Sequence, residues 1–150
     1  MGKPNGKRKP RGSSYFDPLI EQHNGDIFKA SERQLKDKIP LLIKDICRGN
    51  VSYNKYGKYF TPEMILLLTN ETILIFNACA DDYTVYKEYT MHNPNNEAIN
   101  VRFKSISAKY EAYRILLEQL LFMYYNGPTV VESVLKTIAT KMHHYYKYYV

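Results

Sequence analysis

The chain has 150 residues, with 21 Lys and Arg against 15 Asp and Glu, 15 Tyr, no Trp and two Cys. That length suits one domain around a single core, and two scattered cysteines exclude a disulfide framework. The net charge of +6 does not describe the whole surface: Lys3, Lys7, Arg8, Lys9 and Arg11 stand in the first 12 residues with no acid among them, and the remainder is nearly neutral.

Residues 1–14, M-G-K-P-N-G-K-R-K-P-R-G-S-S, read as a flexible basic arm, because Gly and Pro block helix and like charges repel. Its functional reading is neutralisation of nucleic-acid phosphates. Its plain reading is a solubilising leader. No apolar run follows the charged start, so no signal peptide and an intracellular product are expected. Tyr15 to Gly25 is a connector that Phe16, Leu19 and Ile20 can pin to the body. Asp26 to Arg48 carries a first helix, with Ser31 and Gln34 as a capping box. Leu35, Ile39, Leu42, Ile43 and Ile46 form its apolar stripe, and Lys36, Lys38, Lys44 and Asp45 its wet flank. Pro40 is expected to bend this segment or start a new helix, and Gly49-Asn50 ends it.

Val51 to Phe60 interleaves Tyr and Lys. The pattern suits a base-stacking loop, but docking of the rings on the core with the lysines left wet is the preferred reading. Thr61, Pro62 and Glu63 then start the central helix. Glu63, Asn70, Asn77 and Asp81 fall on one line of it, with Leu67 and Leu74 close by. A helix apolar on nearly every side is expected at the centre of a bundle. Thr69-Asn70-Glu71 is a candidate break, and these polar residues argue against a membrane span. Asp81 to His92 continues as helix, with Tyr83, Tyr86 and Tyr89 on one face.

Asn93-Pro94-Asn95-Asn96 is a turn. Glu97 to Lys104 alternates Ile99, Val101 and Phe103, which suits a short strand, but with no evident partner strand an extended lead into the next helix is the preferred reading. Ser105 to Tyr125 is a helix whose buried stripe is Ile106, Tyr110, Tyr113, Leu117, Leu120, Leu121 and Tyr124. Asn126-Gly127-Pro128 stops it. Thr129 and Glu132 form a capping box for a last helix about 30 Å long. Val131, Leu135, Ile138, Met142, Tyr145 and Tyr149 step along it as a heptad seam, assigned to an oligomer interface. The Tyr-rich end leaves three readings open: an interface, packing within the chain, or base stacking.

Nothing selects a catalytic group. His143 and His144 are adjacent and diverge, so no metal site is expected. Asp81 and Asp82 diverge likewise, and Gly57-Lys58 is not part of a phosphate loop. No cofactor is expected. The fold read from these elements is an all-α bundle of four to five helices over residues 15–150. It ends in a C-terminal helical hairpin and begins with the basic arm of residues 1–14. Cys47 and Cys79 read as buried free thiols.

The order of parts resembles the small terminase subunits of tailed bacteriophages. The basic leader M-G-K-P-N-G-K-R-K-P, the aromatic helix D-D-Y-T-V-Y-K-E-Y, the Asn93-Pro94 turn, the helix Ser105–Tyr125 and the stop Asn126-Gly127-Pro128-Thr129 carry the likeness. The leucine-threonine-proline that usually follows the glycine, and the arginine after it, are missing here. The resemblance implies a non-enzymatic, self-associating partner of a DNA-packaging motor in the host cytoplasm or the virion. It places nucleic-acid contacts at Lys3, Lys7, Arg8, Lys9 and Arg11, and subunit contacts on the last two helices. The alternative is a virion structural protein, a head–tail connector or capsid-associated subunit, whose arm lies on neighbouring subunits or packaged DNA. A cellular nucleic-acid-binding regulator is a third class, without a clear recognition helix.

Overall fold

The computed structural model describes residues 14–22 and 32–145, with the side chains of residues 19, 20, 22 and 32–36 outside that description. Ser31, Leu19, Ile20, Leu35, Lys36 and residues 1–13 and 146–150 therefore contribute nothing below. The described chain is an all-α bundle: α1 (Phe16–Gln22), α2 (Glu32–Cys47), α3 (Tyr53–Tyr56), α4 (Pro62–His92), α5 (Glu97–Asn126) and α6 (Val131–Met142), with 3₁₀ turns at Gly57–Tyr59, Gly127–Val130 and His143–Tyr145.

α2 runs uninterrupted through Pro40, so Pro40 neither ends nor restarts it. Ile39, Leu42, Ile43 and Ile46 are buried, as their spacing requires. Gly49 adopts φ 78° and closes the helix, with Gly49 N–H donating to Ile46 O and Asn50 N–H to Asp45 O. Asp45 departs from expectation. It is fully buried, not on the wet flank, because it anchors the segment that precedes α1. Its Oδ2 accepts from Ser14 Oγ at 3.2 Å and from Tyr15 N–H at 2.7 Å. Buried carboxylates persist only with such partners.

Most of Val51 to Phe60 is helical, not a loop: Ser52, whose hydroxyl accepts from Lys55 N–H, caps α3, which runs into the 3₁₀ turn Gly57–Tyr59. Three of its four aromatics dock as preferred, while Tyr53 is 41 % exposed. Tyr56, Tyr59 and Phe60 are buried while Lys55 and Lys58 stay exposed. Phe16 completes this cluster with ring centroids 5.6 Å from Tyr56, 6.2 Å from Tyr59 and 5.6 Å from Phe60.

α4 and α5 form the long axis of the molecule. At 1.5 Å per residue, 31 and 30 residues make helices of about 46 and 45 Å. Thr61 caps α4 by accepting from Met64 N–H. Thr69-Asn70-Glu71 does not break it. The Thr69 and Thr72 hydroxyls donate to Ile65 O and Leu68 O, at 2.7 and 2.8 Å, so these buried polar groups are satisfied inside the helix.

The extended lead expected over Glu97–Lys104 is instead the first part of α5. Asn96 Oδ1 accepts from Ile99 N–H at 3.1 Å and caps it there. Ile99, Phe103 and Ile106 then face α4 at helical spacing, while Val101 is 64 % exposed. The 3.6-residue period overrides the brief alternation.

Gly127, at φ 77°, ends α5. Thr129 does not cap the last helix. Pro128 and Thr129 lie in the 3₁₀ turn, and α6 begins at Val131 behind Val130 with no side-chain cap. Its 12 residues span about 18 Å, not 30 Å. α6 packs on α5 and α2, and together with α2 covers one side of the hairpin's base.

Cys47 and Cys79 are not in disulfides and are buried, at 2 % and 4 % exposure. Burial pushes the Cys47 thiol up to about 12 and raises that of Cys79. Each group is held neutral by the fold, so its contribution is intact below the ordinary thiol range of about 8.5. It is lost as pH rises, because an unfolded thiol ionises first. We expect both thiols to alkylate slowly at pH 8 in the native protein and rapidly in denaturant. Cys79, sealed only within the two-helix hairpin, should react before Cys47. Mass-resolved labelling against time checks the order.

Candidate interaction surface

The two long helices meet along a regular seam. On α4 it runs Thr69, Thr72, Phe76, Cys79, Tyr83, Tyr86 and Thr90, alternating steps of three and four residues. On α5 it runs Ile99, Phe103, Ile106, Tyr110, Tyr113, Leu117 and Leu120 with the same steps. Aromatic rings fix the antiparallel register: Tyr83 stacks on Tyr110 at 4.6 Å and packs on Phe103 at 5.4 Å, and Phe76 stacks on Tyr110 at 5.3 Å.

α2 and α6 cover the base of this hairpin only. The last buried residue of α4 is Cys79 and the first of α5 is Ile106; none between Ala80 and Ser105 is buried. The outer 12 residues of α4 therefore stand roughly 20 Å beyond the bundle. The tip is well made, since Asn93 and Asn100 donate side-chain hydrogen bonds to Tyr89 O and Pro94 O at 3.0 Å. The projection buries little of its own surface.

The central helix is thus not enclosed as expected. Half a turn from the seam, Leu74 is 65 % exposed, and Glu63, Asn70, Asn77 and Asp81 are exposed along the same line. Val85, Tyr89 and Met91 add apolar surface toward the tip. Tyr83, Tyr86 and Tyr89 fan out from a shared face. Tyr83 lies in the seam, Tyr86 is half-buried, and Tyr89 has turned out to solvent with its ring 5.3 Å from Tyr86.

By length and composition α4 is able to cross a membrane, and only about a third of its most apolar stretch is buried in the chain. On α5, Glu97, Ala98, Val101, Arg102 and Ser105 form a shallow, open strip along one side of the helix. Nearer the base, Arg114 bonds Glu111 and Glu118 on one exposed face. The hydrogen bond from Arg114 holds the Glu111 carboxyl below its usual range, and Glu111 raises Arg114 in return.

The residues assigned to an oligomer seam fall elsewhere. Val131, Leu135, Ile138 and Met142 are 1 %, 5 %, 0 % and 0 % exposed and belong to the chain's own core. Tyr145 is half-buried against that core, and Tyr149 lies outside the described residues. The heptad pattern is genuine, but its partners are α2 and α5 of the same chain. Among the described residues no group of three His, Cys, Asp or Glu is placed to hold a metal ion.

Lys3, Lys7, Arg8, Lys9 and Arg11 also lie outside the described residues, whereas the point where that segment joins the body is well held. Ser14 N–H donates to Asp17 Oδ2 at 3.3 Å and Ser14 Oγ accepts from Phe16 N–H at 3.1 Å, a reciprocal cap on α1. The Tyr56 hydroxyl donates to Asp17 Oδ1 at 2.9 Å, and burial raises that phenol. The Ser14-x-x-Asp17 spacing was the overlooked signal. No family model, curated protein or solved structure matches the chain.

Proposed function

We propose that this is a non-catalytic assembly protein that associates with copies of itself and contacts nucleic acid through its basic N-terminal segment. A DNA-packaging role like that of a small terminase subunit is the specific form we favour. One observation carries the reading: a helical hairpin stands out from a small bundle and presents Val85, Tyr89, Met91 and Val101 to solvent, with Leu74 exposed on the same helix nearer the base. Exposed apolar surface on an ordered projection favours protein contact over chemistry. The charge layout supports the second half. Five basic residues without an acid precede Ser14, and Ser14 is clamped to the body through Asp45. A polyanion gripped by the segment would therefore be tied to the bundle.

Deleting residues 1–12 tests the nucleic-acid half. With five phosphate contacts, duplex DNA binding should fall with a log–log salt slope of about −4 to −5. The truncated chain should lose most of that affinity and its slope should approach zero. Unchanged affinity across the salt series removes the segment from the reading.

A further inference from the structure

The two outer edges of the projecting hairpin carry opposite charge. The α4 edge, half a turn from the seam, presents Asp81, Val85 and Glu88, flanked by Asp82 and Tyr89, all exposed. Lys87, the one base of this stretch, turns away and sits 5.9 Å from the centre of the Tyr83 ring. The α5 edge presents the open strip around Val101, with Arg102 in it, Glu97 at its start, and Lys104 and Lys109 exposed farther along the helix. Because the seam lies between the helices, the acidic and basic edges point in opposite directions.

From this we infer that the hairpin is a head-to-tail docking element for a second copy of this chain, the acidic apolar edge of α4 lying along the basic strip of the neighbour's α5. The inference rests on the self-association reading and names its surface. Several features select a second copy over other occupants. The two edges match in charge sign, they match in length because one turn joins them, and each offers apolar side chains between its charges. A two-fold pairing of identical edges would oppose like charges, so the contact is heterologous and each copy engages two neighbours.

Magnitude sets the expected behaviour. A strip roughly 20 Å long and one helix wide covers a few hundred Å² per copy, below the ~800 Å² of a standard interface. A single contact is therefore weak, salt-sensitive and concentration-dependent.

Two surface variants test it. One reverses the acidic edge (Asp81→Lys, Asp82→Lys, Glu88→Lys). The other reverses the basic edge (Arg102→Glu, Lys104→Glu, Lys109→Glu). All six positions are exposed, and unchanged helical circular dichroism confirms folding. By sedimentation equilibrium of the full chain at low salt, each variant alone should associate at least tenfold more weakly than the wild type. An equimolar mixture should recover wild-type association to within about threefold, because reversed edges again meet with opposite sign.

Wild-type association untouched by either variant, or two weakened variants that fail to rescue each other, overturns this edge pairing and leaves self-association standing. A wild-type chain that is monomeric at every concentration overturns both. Flotation of the wild type, but not L74E, with phosphatidylglycerol vesicles in place of self-association assigns the face to a bilayer and also overturns the inference.

Discussion

Replacing Phe16 by alanine is expected to cost about 3–5 kcal/mol of folding stability. Phe16 is fully buried and touches three aromatic rings, those of Tyr56, Tyr59 and Phe60. Truncation removes a whole ring from a packed cluster, and the α3 segment cannot collapse into the space without breaking the Tyr56–Asp17 hydrogen bond. The backbone around it is fixed by Asp45 and Ser14, so the loss falls on packing and leaves those hydrogen bonds in place. Denaturant titration should show a lower midpoint at nearly constant slope. A loss below about 1 kcal/mol would mean that the segment before α2 is not clamped to the bundle, and the link between the basic leader and the body would go with it.

Ile138→Ala is expected to destabilise the chain by about 2–5 kcal/mol while leaving the association constant of the folded protein unchanged. Ile138 has no exposed surface and sits among the residues of the core that α6 shares with α2 and α5. Were the α6 seam a contact between copies, the same substitution would weaken association and cost the isolated chain little. Thermal or chemical denaturation gives the first quantity and sedimentation of the folded variant gives the second. Wild-type stability with lost association would restore α6 as the interface and remove the hairpin from that role.

Much of the layout was legible from local chemistry. Thr61-Pro62-Glu63, Gly49-Asn50, Asn93-Pro94 and Gly127-Pro128 mark helix ends because their backbone preferences act within one turn. The Ile39–Ile46 stripe is buried as read; the α5 stripe holds from Ile106 to Leu121 but not at Tyr124, which is 44 % exposed, while Ala112, Leu116 and Met123 are buried outside it. Between Glu97 and Lys104 two periods competed. Alternation of Ile99, Val101 and Phe103 was the visible one, yet the Asn96 cap and contact with Tyr83 selected the helix. Asp45 was misplaced because a carboxylate at the edge of an apolar stripe normally stays wet. What holds it inside is Ser14, 31 residues away in the sequence.

The α6 seam marks the boundary between the two kinds of information. A heptad pattern states that a helix buries one face, and Val131, Leu135, Ile138 and Met142 do so; the pattern is silent on whether the covering helix belongs to the same chain. The converse holds for α4, whose apolar composition suggested enclosure on all sides while its outer edge is bare. Sequence alone determined α2, α4, the body of α5 and α6, several of their ends, and the separation of a basic leader from a near-neutral body, since propensity, capping and charge are properties of neighbours along the chain. Tertiary structure decided which apolar faces found a partner, because α2 and α6 are too short to reach beyond the base of two helices about 45 Å long.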